Sequence, residues 1–176
     1  MCIYIITDDV FFFTGLKSIM RQRIGDEYIH LHSDNIFSFL KGKVPGSEDV
    51  FIIASECLSL NLMVLLYLKN FLAKLLVAEN KTNRALYHYL PSAVIKSNAT
   101  AVDILTMINL DEIKHRHSMF DKITERERVI LLYTLKGISV RSIKSVMKIS
   151  IKTIYSHRKN GLSKLGVRSL MDLLPE

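Results

Sequence analysis

The sequence predicts two joined classes of structure: an α/β half with a doubly wound parallel sheet over residues 1–108, and an all-α module over residues 122–176. Three observations predict this. The first 108 residues alternate between short apolar runs and stretches of helical spacing, the pattern of a parallel sheet with helices on its faces. From Lys122 onward every periodic segment is helical. The charge divides at the same place: residues 1–120 hold twelve basic and twelve acidic groups, whereas the last 56 hold twelve basic and five acidic, so they carry the whole excess of +7. A basic module beside a neutral one is the electrostatic footprint of a polyanion binder with an attached control domain.

Within the first half, Cys2–Thr7 is an apolar run suited to a buried strand. Val10–Arg21 has helical spacing, with Phe13, Leu16, Lys17 and Met20 about a turn apart. Tyr28, His30 and His32 alternate with Ile29 and Leu31 as a strand does, Ile36–Leu40 reads as a short helix, and Lys41 to Gly46 as a loop. Val50–Ala54 is a second apolar strand, Leu60–Phe71 a helix and Lys74–Ala78 a buried strand. Leu86–Leu90 and Val94–Lys96 compete for the last strand, and Ala99–Leu110 is a helix. Residues 109–121 turn polar and are expected to form a linker.

In the second half, Thr124 followed by Glu127 is a capping box that opens a helix running to Lys136, with Gly137 as its stop. A second helix is expected over about Ser139–Met147, with Ile143, Val146 and Met147 facing inward. Lys148 and Ile149 make a tight turn, and Ser150 caps a third helix rich in Lys, Arg, Ser, Thr and Tyr. A fourth is expected at about Arg168–Leu174. Ile154, Leu162 and Leu165 are expected core. Two helices joined by a short turn, the second lined with hydrogen-bonding and basic side chains, form a helix-turn-helix. Such a helix fits a DNA major groove, and its N-terminal N–H groups suit phosphate.

Residues 123–167 resemble the DNA-binding domain of the LuxR/FixJ/NarL family of bacterial transcription regulators. The resemblance rests on Thr124, Arg126, Glu127, Val129, Gly137, Ser139, Ile143, Ile149, Ser150, Thr153, His157, Asn160, Lys164, Leu165, Gly166 and Val167 at fixed spacing. It implies that the helix at about 151–165 enters the major groove, that Tyr155, Ser156 and Lys159 read bases, and that Lys152, Thr153, His157, Arg158 and Lys164 contact phosphates. Two positions depart from the pattern. Lys144 stands where the family has a small Ala, and Gly161 replaces a core Ile, at an expected cost of about 1 kcal/mol in helix propensity. In the family the fourth helix forms the dimer contact.

Residues 1–108 resemble a receiver domain whose phosphorylation chemistry is missing. Asp8 and Asp9 follow the first strand, where receivers keep an acidic pair for a hard cation; if Gly15 fixes the register, Thr7 and Asp8 fill those places instead. Ala54 falls where the phosphate-accepting Asp belongs, with Ser55 and Glu56 just past the strand, so no phosphoacceptor is expected. Lys96 matches the family's phosphate-pairing lysine but would have nothing to pair with. The alternative role for Asp8 and Asp9 is helix capping and solvation.

Other classes are disfavoured. Apolar residues at 49% and charged residues at 23% suit a globular chain. Cys2 and Cys57 lack paired spacing, which suits free thiols in a reducing cytosol. The N-terminus does not read as a signal peptide, and polar residues interrupt the apolar stretch from Cys57 to Ala78, so no membrane span is expected. His115 and His117 lack the further ligands of a metal site. No glycine-rich phosphate loop or catalytic constellation appears, so neither enzyme activity nor a cofactor is expected. The expectation is a cytoplasmic, nucleoid-associated regulator of transcription, independent of phosphorylation. Its partners would be double-stranded DNA, a second copy or a related regulator, and RNA polymerase. The alternative is a co-regulator or anti-regulator that heterodimerises with a LuxR-type protein and reads little sequence itself.

Overall fold

The computed structural model describes residues 1–21, 27–42, 44–68, 71, 73–81, 94–109, 122–167 and 169–170. The elements run β1 (Cys2–Ile6), α1 (Val10–Met20), β2 (Glu27–Leu31), α2 (Ile36–Gly42), β3 (Val50–Ile53), α3 (Leu58–Leu68), β4 (Lys74–Ala78), β5 (Val94–Ile95), α4 (Ala101–Asn109), α5 (Glu125–Leu135), α6 (Val140–Met147) and α7 (Ile151–Lys164). Val94–Ile95 supplies the last strand; the competing Leu86–Leu90 lies outside the described residues, as do residues 110–121 of the expected linker and nearly all of the expected fourth helix.

The chain divides into two compact units, Met1–Cys57 with Asn70–Arg116, and Leu58–Lys69 with His117–Glu176. The first holds a five-stranded sheet of order β2-β1-β3-β4-β5 in which every pair is parallel. This is a doubly wound order, as the alternation predicted. Ile3 faces Tyr28 on one side and Val50 on the other, and Val50 faces Lys74. The period of two then sorts the side chains. Ile3, Ile5, Val50, Ile52 and Leu76 form one core with Leu16 and Met20 of α1 and Ile104 and Ile108 of α4. On the opposite face Tyr4 stacks on Phe51, ring centres 4.5 Å apart, and meets Phe39 of α2 at 5.4 Å. Both faces are therefore covered, which is why β1 and β3 are buried at every position. Lys74, at the start of β4, is buried, and its ammonium donates to the Ile108 carbonyl at 3.0 Å, in the last turn of α4. A cation is favoured at that end of a helix.

The second unit holds α3 and the C-terminal helices. Helix α3 is apolar around its circumference, and Leu60, Leu62, Val64, Leu65, Leu66 and Leu68 are all buried. A helix without a polar face must be buried on every side. Arg128 of α5 pairs with Glu125 and donates to the Leu66 carbonyl of α3 at 3.3 Å. Ile130, Ile143 and Ile154, one from each of α5, α6 and α7, meet in a small core flanked by Tyr133, Val140, Met147 and Ile149. Val146 is not part of it: it is 64% exposed, correcting the expected inward set. The inward stripe of α6 runs through Val140, Ile143 and Met147, and a residue three past Ile143 falls on the other side of that stripe. Among the described residues no helix is long and apolar enough to cross a membrane.

Candidate nucleic-acid interface

Each C-terminal helix begins and ends where its local chemistry dictates. The Thr124 hydroxyl accepts from Glu127 N–H at 3.3 Å and the Glu127 carboxylate from Thr124 N–H at 2.8 Å, completing the capping box. Gly137, at φ +72°, ends α5 as its N–H bonds to the Thr134 carbonyl and Ile138 N–H to that of Tyr133. The Ser139 hydroxyl accepts from Ser142 N–H, and that of Ser150 from Thr153 N–H, both at 3.1 Å. Between those caps Lys148 turns the chain in the left-handed region at φ 52°, so three residues join α6 to α7. At the far end of α7, Gly166 and Val167 N–H bond to the carbonyls of Ser163 and Leu162.

Helix α7 buries Ile154, Gly161 and Leu162 and leaves Lys152, Tyr155, Ser156, Lys159 and Ser163 exposed, positions that share one face at helical spacing. The three residues expected to read bases are therefore together on a single solvent-facing stripe. Tyr155 is 48% exposed, and the Arg158 guanidinium lies over its ring, 4.5 Å from the centre. Lys152 is exposed one turn earlier, while Thr153, His157 and Arg158 are half-buried along the edge. The Thr153 hydroxyl is 2.8 Å from that of Ser150, so it belongs to the cap as well.

Lys164 sits elsewhere. Its ammonium donates to both oxygens of Glu127, at 2.7 and 3.0 Å. Glu127 is only 4% exposed. Burial pushes its carboxyl up, but the Lys164 ammonium and the Thr124 donors outweigh that and hold it below its ordinary value. In this position Lys164 ties the last turn of α7 to the first turn of α5. Gly161 explains why the helices come so close: a Cβ there would lie 2.8 Å from Leu131 Cδ1 and 3.2 Å from its Cγ. What the sequence suggested was a helix-weakening departure is a point of backbone-to-side-chain contact.

The electrostatics of this region have a simple origin. Residues 128–171 contain ten Lys and Arg and not one Asp or Glu. Arg141, Lys144 and Lys148 are exposed with the α7 cations and were not among the expected contacts. The acid-free run was the signal that could have found them.

At the C-terminal edge of the sheet lie the residues in the places of a receiver's acidic pair, acceptor and lysine. Ala54 follows β3, half-buried, and its N–H bonds to the Ile6 carbonyl at 2.8 Å. Asp9 caps α1, accepting from Phe11 and Phe12 N–H at 2.8 and 3.1 Å. Asp8 accepts from Ser33 N–H at 3.0 Å and lies 3.8 Å from His32 Nδ1. Thr7 is buried and its hydroxyl accepts from Asp9 N–H. The Ser55 hydroxyl is buried and accepts from Cys57 N–H; Glu56 and Lys96 are exposed. Among the described residues no three His, Cys, Asp or Glu side chains are grouped to hold a metal ion. His115 and His117 lie outside the described residues.

A doubly wound parallel sheet followed in the chain by a capped helix-turn-helix with a basic second helix defines a receiver-like fold carrying a helix-turn-helix module. Residues 121–175 match the family described as bacterial regulatory proteins, luxR family. The response regulator protein VraR of Staphylococcus saprophyticus is 43% identical over 58 residues, 33% of this chain and 28% of that protein. VraR of Staphylococcus aureus matches with the same identity and coverage. The match thus spans little more than a quarter of these relatives. Among solved structures, the two-component response regulator RcsB in its DNA complex superposes with a TM-score of 0.50 at 18% identity, covering 99% of this chain and 96% of that one. That likeness is one of fold.

Proposed function

We propose that this chain is a sequence-specific, double-stranded-DNA-binding transcription regulator that inserts α7 into the major groove. The observation that carries the reading is the exposed stripe of Lys152, Tyr155, Ser156 and Lys159 on a helix capped by Ser150, within a 44-residue run without an acid. Tyr155, Ser156 and Lys159 meet base edges; Lys152, Thr153, His157 and Arg158 meet phosphates or orient their neighbours. Lys164 we assign to buttressing α7 through Glu127. The protein acts in the cytoplasm on the nucleoid, as a dimer.

The reading extends to control. With alanine after β3, and Asp9 committed to capping α1, the first unit has no acceptor in the expected place and one acid fewer for a cation. Regulation is then independent of phosphorylation and passes through assembly with a second copy or a related regulator.

The test is selection from random duplexes by the purified protein at near-physiological salt, beside a Tyr155→Ala/Lys159→Ala double variant. Enrichment of a two-fold symmetric site that the variant loses is the expected result. Salt-sensitive binding to all duplexes with no enrichment overturns autonomous reading in favour of a partner-dependent co-regulator.

A further inference from the structure

We propose that Arg158 is a specificity-determining positioning residue, which holds the Tyr155 ring in place for base reading; this rests on the DNA-binding function proposed above. Arg158 lies three residues after Tyr155, so the two side chains are neighbours on α7. The guanidinium carbon is 4.5 Å from the ring centre, within the range of a cation–π contact. Arg158 is half-buried while Tyr155 is 48% exposed, so the contact borders the exposed stripe of α7.

Two features of the surroundings favour this pairing. Residues 128–171 offer no carboxylate to draw the guanidinium away, and among the described residues Arg158 has no ion pair. The negative face of the phenol is what remains. Tyrosine also has only two rotatable torsions, and a planar group lying on its ring restricts both. The phenol then approaches a groove already oriented, its hydroxyl available as donor and acceptor, and less freedom is lost on binding. A lysine at 158 keeps the charge but cannot cover the ring with a plane. Charge and stacking can therefore be separated by one substitution.

The experiment has a DNA-free arm and a DNA arm. In the DNA-free protein, ring current from Tyr155 should shift the Arg158 side-chain protons upfield in the NMR spectrum, and Tyr155→Leu should abolish the shift. In the DNA arm, affinities for the selected duplex and for random duplex are measured across a salt series. Arg158→Lys should lower the ratio of selected to random affinity about two- to fivefold, with the salt slope unchanged. The same change in a Tyr155→Phe background should cost less, because phenylalanine keeps the ring under the guanidinium but has no hydroxyl to present. In a Tyr155→Ala background it should cost nothing. A missing ring-current shift, an unchanged ratio in Arg158→Lys, or an equal loss in the Tyr155→Ala background each overturns the proposal while DNA reading stands. If the ring-current shift is present but the wild-type protein selects no sequence, the DNA-reading function is what fails, and the positioning role is overturned with it.

Discussion

Lys164 and Glu127 show how a side chain's partner decides its role. Glu127 is buried, so its charge is tolerable only while the ammonium and the Thr124 donors face it. Lys164→Met should cost about 2–3 kcal/mol at neutral pH, read as a lower urea midpoint, because it strands a buried carboxylate. The pH dependence follows from the same pair. The folded carboxyl titrates below its ordinary value of 4.5, so its contribution is complete above that value and is lost as pH falls through the lower, folded one. Glu127→Gln should flatten the acid limb of the stability profile; an unchanged limb would assign acid sensitivity to other groups. At the groove-facing stripe, Lys159→Ala should cost about 1–3 kcal/mol on a selected site and relax preference at one base position. Equal loss on random DNA would remove Lys159 from the base-reading set.

Gly161 brings two elements together. Alanine there gains about 1 kcal/mol of helix propensity. Its Cβ, however, would lie 2.8 Å from Leu131 Cδ1, and Leu131 is fully buried, with little room to retreat. Gly161→Ala should therefore be destabilising on balance, by about 1–2 kcal/mol in thermal or urea unfolding, and Leu131→Ala should relieve part of that strain in the double variant. A more stable Gly161→Ala protein would show that α5 and α7 separate freely. These elements also show what a one-dimensional reading reaches. The caps at Thr124 and Ser150 were legible because each is a hydrogen bond to a backbone group three residues away. The strands were legible because burial on both faces leaves continuous apolar runs. The packing role of Gly161 was not legible because propensity describes one helix and this contact is with another. The pairing of Lys164 with Glu127 was not legible because the partner is 37 residues earlier in the chain. Val146 was misplaced because spacings of three and four both suit a helix, and only packing chooses between them.

Over the whole molecule, one half is neutral and the other carries the full net charge. Lys152→Ala should weaken binding to all sequences alike and reduce the slope of log affinity against log salt by about one. A sequence-dependent loss would place Lys152 on base edges instead. Treatment with a small phosphodonor should leave the mass of the first unit and the DNA affinity unchanged. A phosphoryl adduct within residues 1–108 would overturn phosphorylation independence. The acid-free run from 128 to 171 has a further effect on how such a surface responds to a cell's interior. Acidification finds no carboxylates there to neutralise, and protonation can only add to the positive charge. Dissolved ions screen the exposed cations of α6 and α7 at once. A cell that loses water and concentrates its ions would loosen this surface from a polyanion, whereas one that turns acid would not.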